Sequence, residues 1–197
     1  MRYAVTPLII ALLAGVAAPQ LAAKPAKPAA HPAAEAQTLA LAKQLIALRS
    51  VEGEGNKTGE ALQVVKQALV AGGWQDGQVE ITPFRDTAYL IATWPGSDPS
   101  LKPLVISGHM DVVEAKPADW ERNPFTPVVE NGYLFGRGAS DMKFDGAMAT
   151  SSLIELRRSG YKPKRTIILQ FSGDEETTMR TSREIARKLS NAELVLN

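Results

Sequence analysis

Cysteine is absent from the 197-residue chain, and histidine occurs only at His31 and His109. The first absence excludes disulfides and thiolate-bound metal, leaving nitrogen and oxygen as metal donors. Excess charge is missing too. Lys and Arg number 22 against 21 Asp and Glu, a formal net charge of +1. No field of one sign calls for nucleic acid or an acidic membrane surface as a partner. There is no internal repeat, and beyond the first two dozen residues no stretch is apolar enough to span a membrane. What is present, 45% hydrophobic and 22% charged residues, is the make-up of an ordinary globular protein. The length suffices for one domain with a proper core.

Residues 1–23 read as a secretory signal peptide. Met1 and Arg2 give a short positive start, Tyr3 to Ala18 is apolar around Leu8 to Leu13, and small residues follow. That is the pattern of an exported leader, with cleavage after Ala18 or Ala23. The apolar run falls short of the about 20 residues a membrane-spanning helix needs, which speaks against an uncleaved anchor. The mature protein is then expected in the periplasm or secreted, and free of the membrane. Residues 24–34, KPAKPAAHPAA, read as an extended Pro/Ala-rich linker. His31 lies inside it with nothing nearby to hold it against a metal. Residues 35–197 are the folded part.

Along that part, helical and strand periodicities alternate. Glu35 to Ser50 places Leu41, Leu45 and Leu48 on one stripe. The Gly-containing stretch from Val51 to Gly59 lacks the Gly-Lys-Ser/Thr ending of a phosphate loop and reads as a plain loop. Thr58 is expected to cap the next helix, with Leu62, Val65 and Leu69 inward. Strands are expected over 78–82 and 87–94, around a turn at Pro83 to Asp86. Leu104 to Ile106 climbs as a buried strand. Asn131 and Gly132 signal a hairpin. A helix is expected from about Phe144 to Ser159, with Met148, Leu153 and Leu156 inward. A strongly apolar strand follows from Arg165 to Phe171, then a helix from about Arg180 to Leu189. Glu193 to Asn197 looks like a strand beginning. Such alternation implies an α/β sheet layered with helices. Trp120 and Phe125 read as loop-packing aromatics, with stacking on a substrate as the other option.

Three strand ends carry polar groups. His109 and Asp111 sit two positions apart, so a persisting strand puts both on one face. A carboxylate there can hold one imidazole nitrogen while the other binds metal, although a polar strand end reads the same way. Asp141 follows two glycines, Gly136 and Gly138. Asp174, Glu175 and Glu176 close the apolar strand. Acids also suit a helix entrance, which is the plain alternative for Glu175 and Glu176. Carboxylates crowded around one imidazole repel one another, and a divalent cation relieves that repulsion. With no cysteine, such a set suits Zn²⁺, with Co²⁺ or Mn²⁺ as chemical alternatives.

These motifs, His109-Met110-Asp111-Val112-Val113, Gly136 to Lys143 (GRGASDMK) and Gly173 to Glu176 (GDEE), in this order and spacing resemble the M20 family of metallopeptidases and amidohydrolases. That family includes glutamate carboxypeptidases, dipeptidases, aminoacylases and succinyl-diaminopimelate desuccinylases. The resemblance runs from about Ala40 to Asn197. It implies a zinc-peptidase-like sheet layered with helices, and hydrolysis of an amide bond in a small peptide or N-acyl amino acid by a metal-activated water. It implies that His109 binds the first of two zinc ions, Asp111 orients His109, Asp141 bridges both ions, Glu175 is the general base and Glu176 binds the second ion. Lys143 has no ligand role, and a solvated or structural one is expected. Family members hold each ion with one further residue, an acid and a histidine beyond the position matching Asn197. They also carry a lid or dimerisation domain, which is absent here, and often pair through it. The chain therefore reads as the N-terminal part of an incomplete catalytic domain, weak in zinc binding and inactive alone. The rival expectation is a non-catalytic M20-like binding or scaffold protein, against which an intact Glu175 argues.

Overall fold

A computed structural model describes residues 31–197. The expected leader, and the expected linker up to residue 30, lie outside this range. The first helix, α1 (Pro32–Ile46), starts three residues before Glu35. Pro32 at its first position explains the earlier start, because a proline there gives up no helical hydrogen bond. No helix among the described residues is long and apolar enough to cross a membrane.

Helix α2 (Thr58–Ala71) follows the loop. Its cap is not Thr58. Asn56 Oδ1 accepts the Thr58 backbone N–H at 2.9 Å and its hydroxyl at 2.6 Å. Strands β1 (Val79–Phe84) and β2 (Thr87–Trp94) form an antiparallel hairpin. Its turn is shorter than the expected Pro83 to Asp86. Pro83 and Phe84 stay in register with Ala88 and Thr87, and only Arg85 and Asp86 turn. Proline is tolerated there because β1 is an edge strand.

Strand β3 (Leu104–His109) leads into a long loop carrying a small hairpin, β4 (Val128–Glu130) and β5 (Tyr133–Phe135). Asn131 and Gly132 both take positive φ, 51° and 82°, as a two-residue hairpin turn of this kind requires. Helix α3 (Lys143–Arg158), β6 (Ile167–Ser172), α4 (Arg180–Lys188) and β7 (Leu194–Leu196) complete the order.

Five strands form one mixed sheet in the order β1-β2-β6-β3-β7. β3 lies parallel to both β6 and β7, and β2 is antiparallel to β6. The core joins α1, α2 and α3 to the sheet. Leu45, Leu62, Val65 and Leu69 are fully buried there, each contributing about 1.5–3 kcal/mol by leaving water. α3 departs from the expected pattern. Leu153 is inward, but Met148 and Leu156 are 47% and 40% exposed. The buried face runs through Gly146, Ala147, Thr150 and Ser151 instead. Small side chains let this helix lie close to the sheet, and a hydrophobicity pattern does not register them. At Gly146 a side chain would strike the methyl of Met110.

Candidate metal centre

β3 and β6 run parallel with His109 opposite Ser172, so their carboxyl ends lie level. Ligand sites in open α/β sheets collect at such ends. One more backbone bond, from Met110 N–H to Ser172 O at 2.9 Å, extends the pairing past the strand. Met110 enters the core, while His109 and Asp111 are 6% and 3% exposed on the other side. The alternation of a strand therefore carries both polar groups to one place.

His109 Nδ1 faces the Asp111 carbonyl at 3.0 Å and the Asp111 carboxylate at 3.4 Å. Nε2 faces Asp141 Oδ1 at 3.0 Å and Glu175 Oε2 at 3.8 Å. Asp111 also accepts the Glu176 backbone N–H at 2.9 Å, tying the β3 end to the turn after β6. One carboxylate thus sets both an imidazole and the segment that carries Glu175 and Glu176. Ligand atoms of His109, Asp141 and Glu176 all lie within 4.8 Å of one another.

Backbone geometry delivers Asp141 and the acid turn. Gly138 takes φ 89°, which a side chain would strain, and the loop passes on to Asp141 ahead of α3. The peptide bond after Asp141 is cis. Gly173 admits no side chain, since a Cβ would collide with the Ala88 carbonyl. Asp174 turns away from the cluster. It accepts the backbone N–H groups of Arg180 and Thr181 at 2.8 and 2.9 Å and the hydroxyls of Thr178 and Thr181. It closes the entrance of α4, so its role is structural.

The electrostatics fit a cation. Burial alone would lower the pKa of His109, but Asp111 and Asp141 outweigh it and push the value up to about 9. Glu176 is raised, first by burial and then by Asp141, Asp111 and Glu175, with His109 acting against them. One nitrogen and several carboxylate oxygens converge without a thiolate, a donor set that suits zinc, cobalt or manganese.

Two clefts flank the cluster. A larger one of about 590 Å³ is bordered by His109, Asp141 and Glu175. A second of about 450 Å³ is bordered by Asp141 and Glu176. His31 lies far from both, 3.7 Å from Glu155 on α3. Lys143 was expected to be solvated or structural. It is fully buried, with its amine donating to the Leu45 and Leu48 carbonyls at 2.8 and 2.6 Å. Burial lowers its pKa to about 7 against the pull of Asp111. It anchors the end of α1 to the start of α3, the structural of the two expected roles.

Residues 105–195 match the model of peptidase family M20/M25/M40. The chain belongs to this family. It is 31% identical over 143 residues to the aminoacylase-1 of Sus scrofa, a match covering 72% of this chain and 34% of that protein. It is 35% identical over 143 residues to the succinyl-diaminopimelate desuccinylase of Variovorax paradoxus (strain S110), covering 71% and 36%. The chain thus spans about a third of the length of these relatives. Among solved structures, the di-peptidase Dug1p of Saccharomyces cerevisiae superposes with a TM-score of 0.65 at 21% identity, over 82% of this chain and 37% of that one. That likeness concerns the fold.

Proposed function

We propose that this M20 chain provides the zinc-holding, proton-transferring part of a hydrolase that cleaves an amide bond in a small peptide or an N-acyl amino acid. The observation that carries the reading is the convergence of ligand atoms of His109, Asp141 and Glu176 within 4.8 Å, with Glu175 beside His109 Nε2. His109, Asp141 and Glu176 would hold the metal. A bound zinc ion supplies Lewis acidity and lowers the pKa of a water. Asp111 fixes the imidazole through Nδ1 and so leaves Nε2 turned to the cluster. Glu175 is the one carboxylate near His109 Nε2 left outside the ligand set. It takes a proton from the attacking water and returns it to the departing nitrogen.

Export is part of the proposal and rests on the leader-like residues 1–23. Pairing of two copies rests on the family resemblance. The test is hydrolysis of a panel of dipeptides and N-acyl amino acids by the native protein from its own cells, before and after chelation. Loss of turnover on chelation, recovery with zinc and loss in Glu175→Gln are expected. Turnover untouched by chelator or by that substitution would overturn the reading.

A further inference from the structure

The two clefts beside the cluster differ in chemistry, and that difference assigns the two halves of a substrate. Glu175 borders the larger cleft and not the smaller. The group that returns a proton to the departing nitrogen must stand on the amine's side. The amine half therefore belongs in the larger cleft, and the acyl half extends past Asp141 and Glu176 into the smaller one. That smaller cleft is walled by Val113, Trp120, Leu134 and Phe135 on its apolar side, with Arg137 and Ser140 lining it too. Val113 and Phe135 are each 40% exposed and border the same cleft, so their apolar surface is open to an occupant. Arg137 packs its guanidinium over the Trp120 ring at 5.3 Å, and Arg122 packs over Phe135 at 4.7 Å. Both rings are thus braced from one side by cations.

We infer that this cleft, between Trp120, Leu134 and Phe135, is an acyl-group subsite that takes an aromatic or long aliphatic acyl chain. The inference rests on the proposed amide hydrolysis only for the orientation of the substrate. Its occupant is set by continuity with the cluster, since Asp141 and Glu176 line the cleft itself. Arg137 and Arg122 act as positioning residues that brace the rings.

The test measures equilibrium binding by calorimetry with zinc present. The probes are N-phenylacetyl and N-acetyl derivatives of one amino acid, and the proteins are the unaltered chain, Trp120→Ala and Phe135→Ala. The phenylacetyl compound is expected to bind at least ~10-fold more tightly, as a filled apolar pocket allows. Both substitutions should erase most of that preference. Phe135 sits on an exposed hairpin, so its variant should fold even if Trp120→Ala does not. Equal affinity for the two probes, or a preference that survives both substitutions, would overturn the subsite. Hydrolysis of the two probes is scored separately, on the native protein from its own cells, because the 197-residue chain alone is expected to be inactive. A binding preference without turnover contradicts the hydrolase reading and leaves the subsite standing, whereas turnover without preference does the reverse.

Discussion

The cluster has two unlike halves. On one, His109 and Asp111 are almost wholly buried, and they are held by each other and by the backbone N–H of Glu176. On the other, the Asp141 side chain is 70% exposed and that of Glu175 is 41% exposed. The buried half is fixed by folding alone. The exposed half consists of carboxylates that repel one another, share only His109 Nε2 as a partner, and are relieved further when a cation arrives. Folding thus prepares an imidazole at a set angle, and the acids are left free to close on a ligand.

Substitutions can break or sharpen this contrast. The largest effect belongs to the exposed half. Glu175→Gln should lower turnover by about 10²–10⁴-fold in an assay of the intact native enzyme, because only proton transfer is lost. Metal content, read by atomic spectroscopy, should stay the same. On the buried half, Asp111→Asn should weaken zinc binding by about 10–100-fold in a competition titration, as the imidazole loses its orienting anion.

A smaller effect is expected at Asp174. Its Ala variant should lose about 1–2 kcal/mol in urea unfolding at neutral pH, since α4 loses its entrance partners. The hydrogen bonds it accepts outweigh burial and hold its carboxyl below the usual carboxylate range. Its contribution is therefore present above the ordinary carboxylate pKa and lost as pH falls through the depressed value. The gap between the two proteins should close in acid, and a gap that widens there would contradict this assignment. The smallest effect is expected at Leu156→Lys, within about 0.5 kcal/mol of the unaltered protein by the same measurement, because the side chain is already 40% exposed.

The same contrast explains what could be read from the sequence. Strands and helices with strong apolar periods, such as β2, β3 and α2, stand out within a few residues of their observed ends. α3 was placed but turned wrongly, because its buried face is built from Gly146, Ala147, Thr150 and Ser151, which carry little hydrophobic signal. The capping role of Asn56 was hidden by Thr58, a better-known cap two residues on. At the cluster, motif spacing brought His109, Asp141 and Glu176 to notice, and strand alternation paired His109 with Asp111. Asp174 and Glu175 could not be told apart by type. Only the path of the chain after β6 turns Asp174 into α4 and Glu175 towards His109. The burial of Lys143 was likewise invisible, since a lysine at a helix start ordinarily faces water.

If folding positions His109 to bind a divalent cation through Nε2, the metal must compete with a proton for that nitrogen. Zinc titration of the 197-residue protein by calorimetry, between pH 6 and pH 9, tests it most directly. In the metal-free protein His109 carries a proton up to about pH 9. The stability this proton adds is complete below the ordinary histidine pKa and fades as pH rises through that raised value. Zinc must displace the same proton, so affinity should climb across this range and proton release should accompany binding. His109→Ala should abolish the binding, and His31→Ala should leave it unchanged. Binding that survives His109→Ala, or that does not vary with pH, would contradict the account.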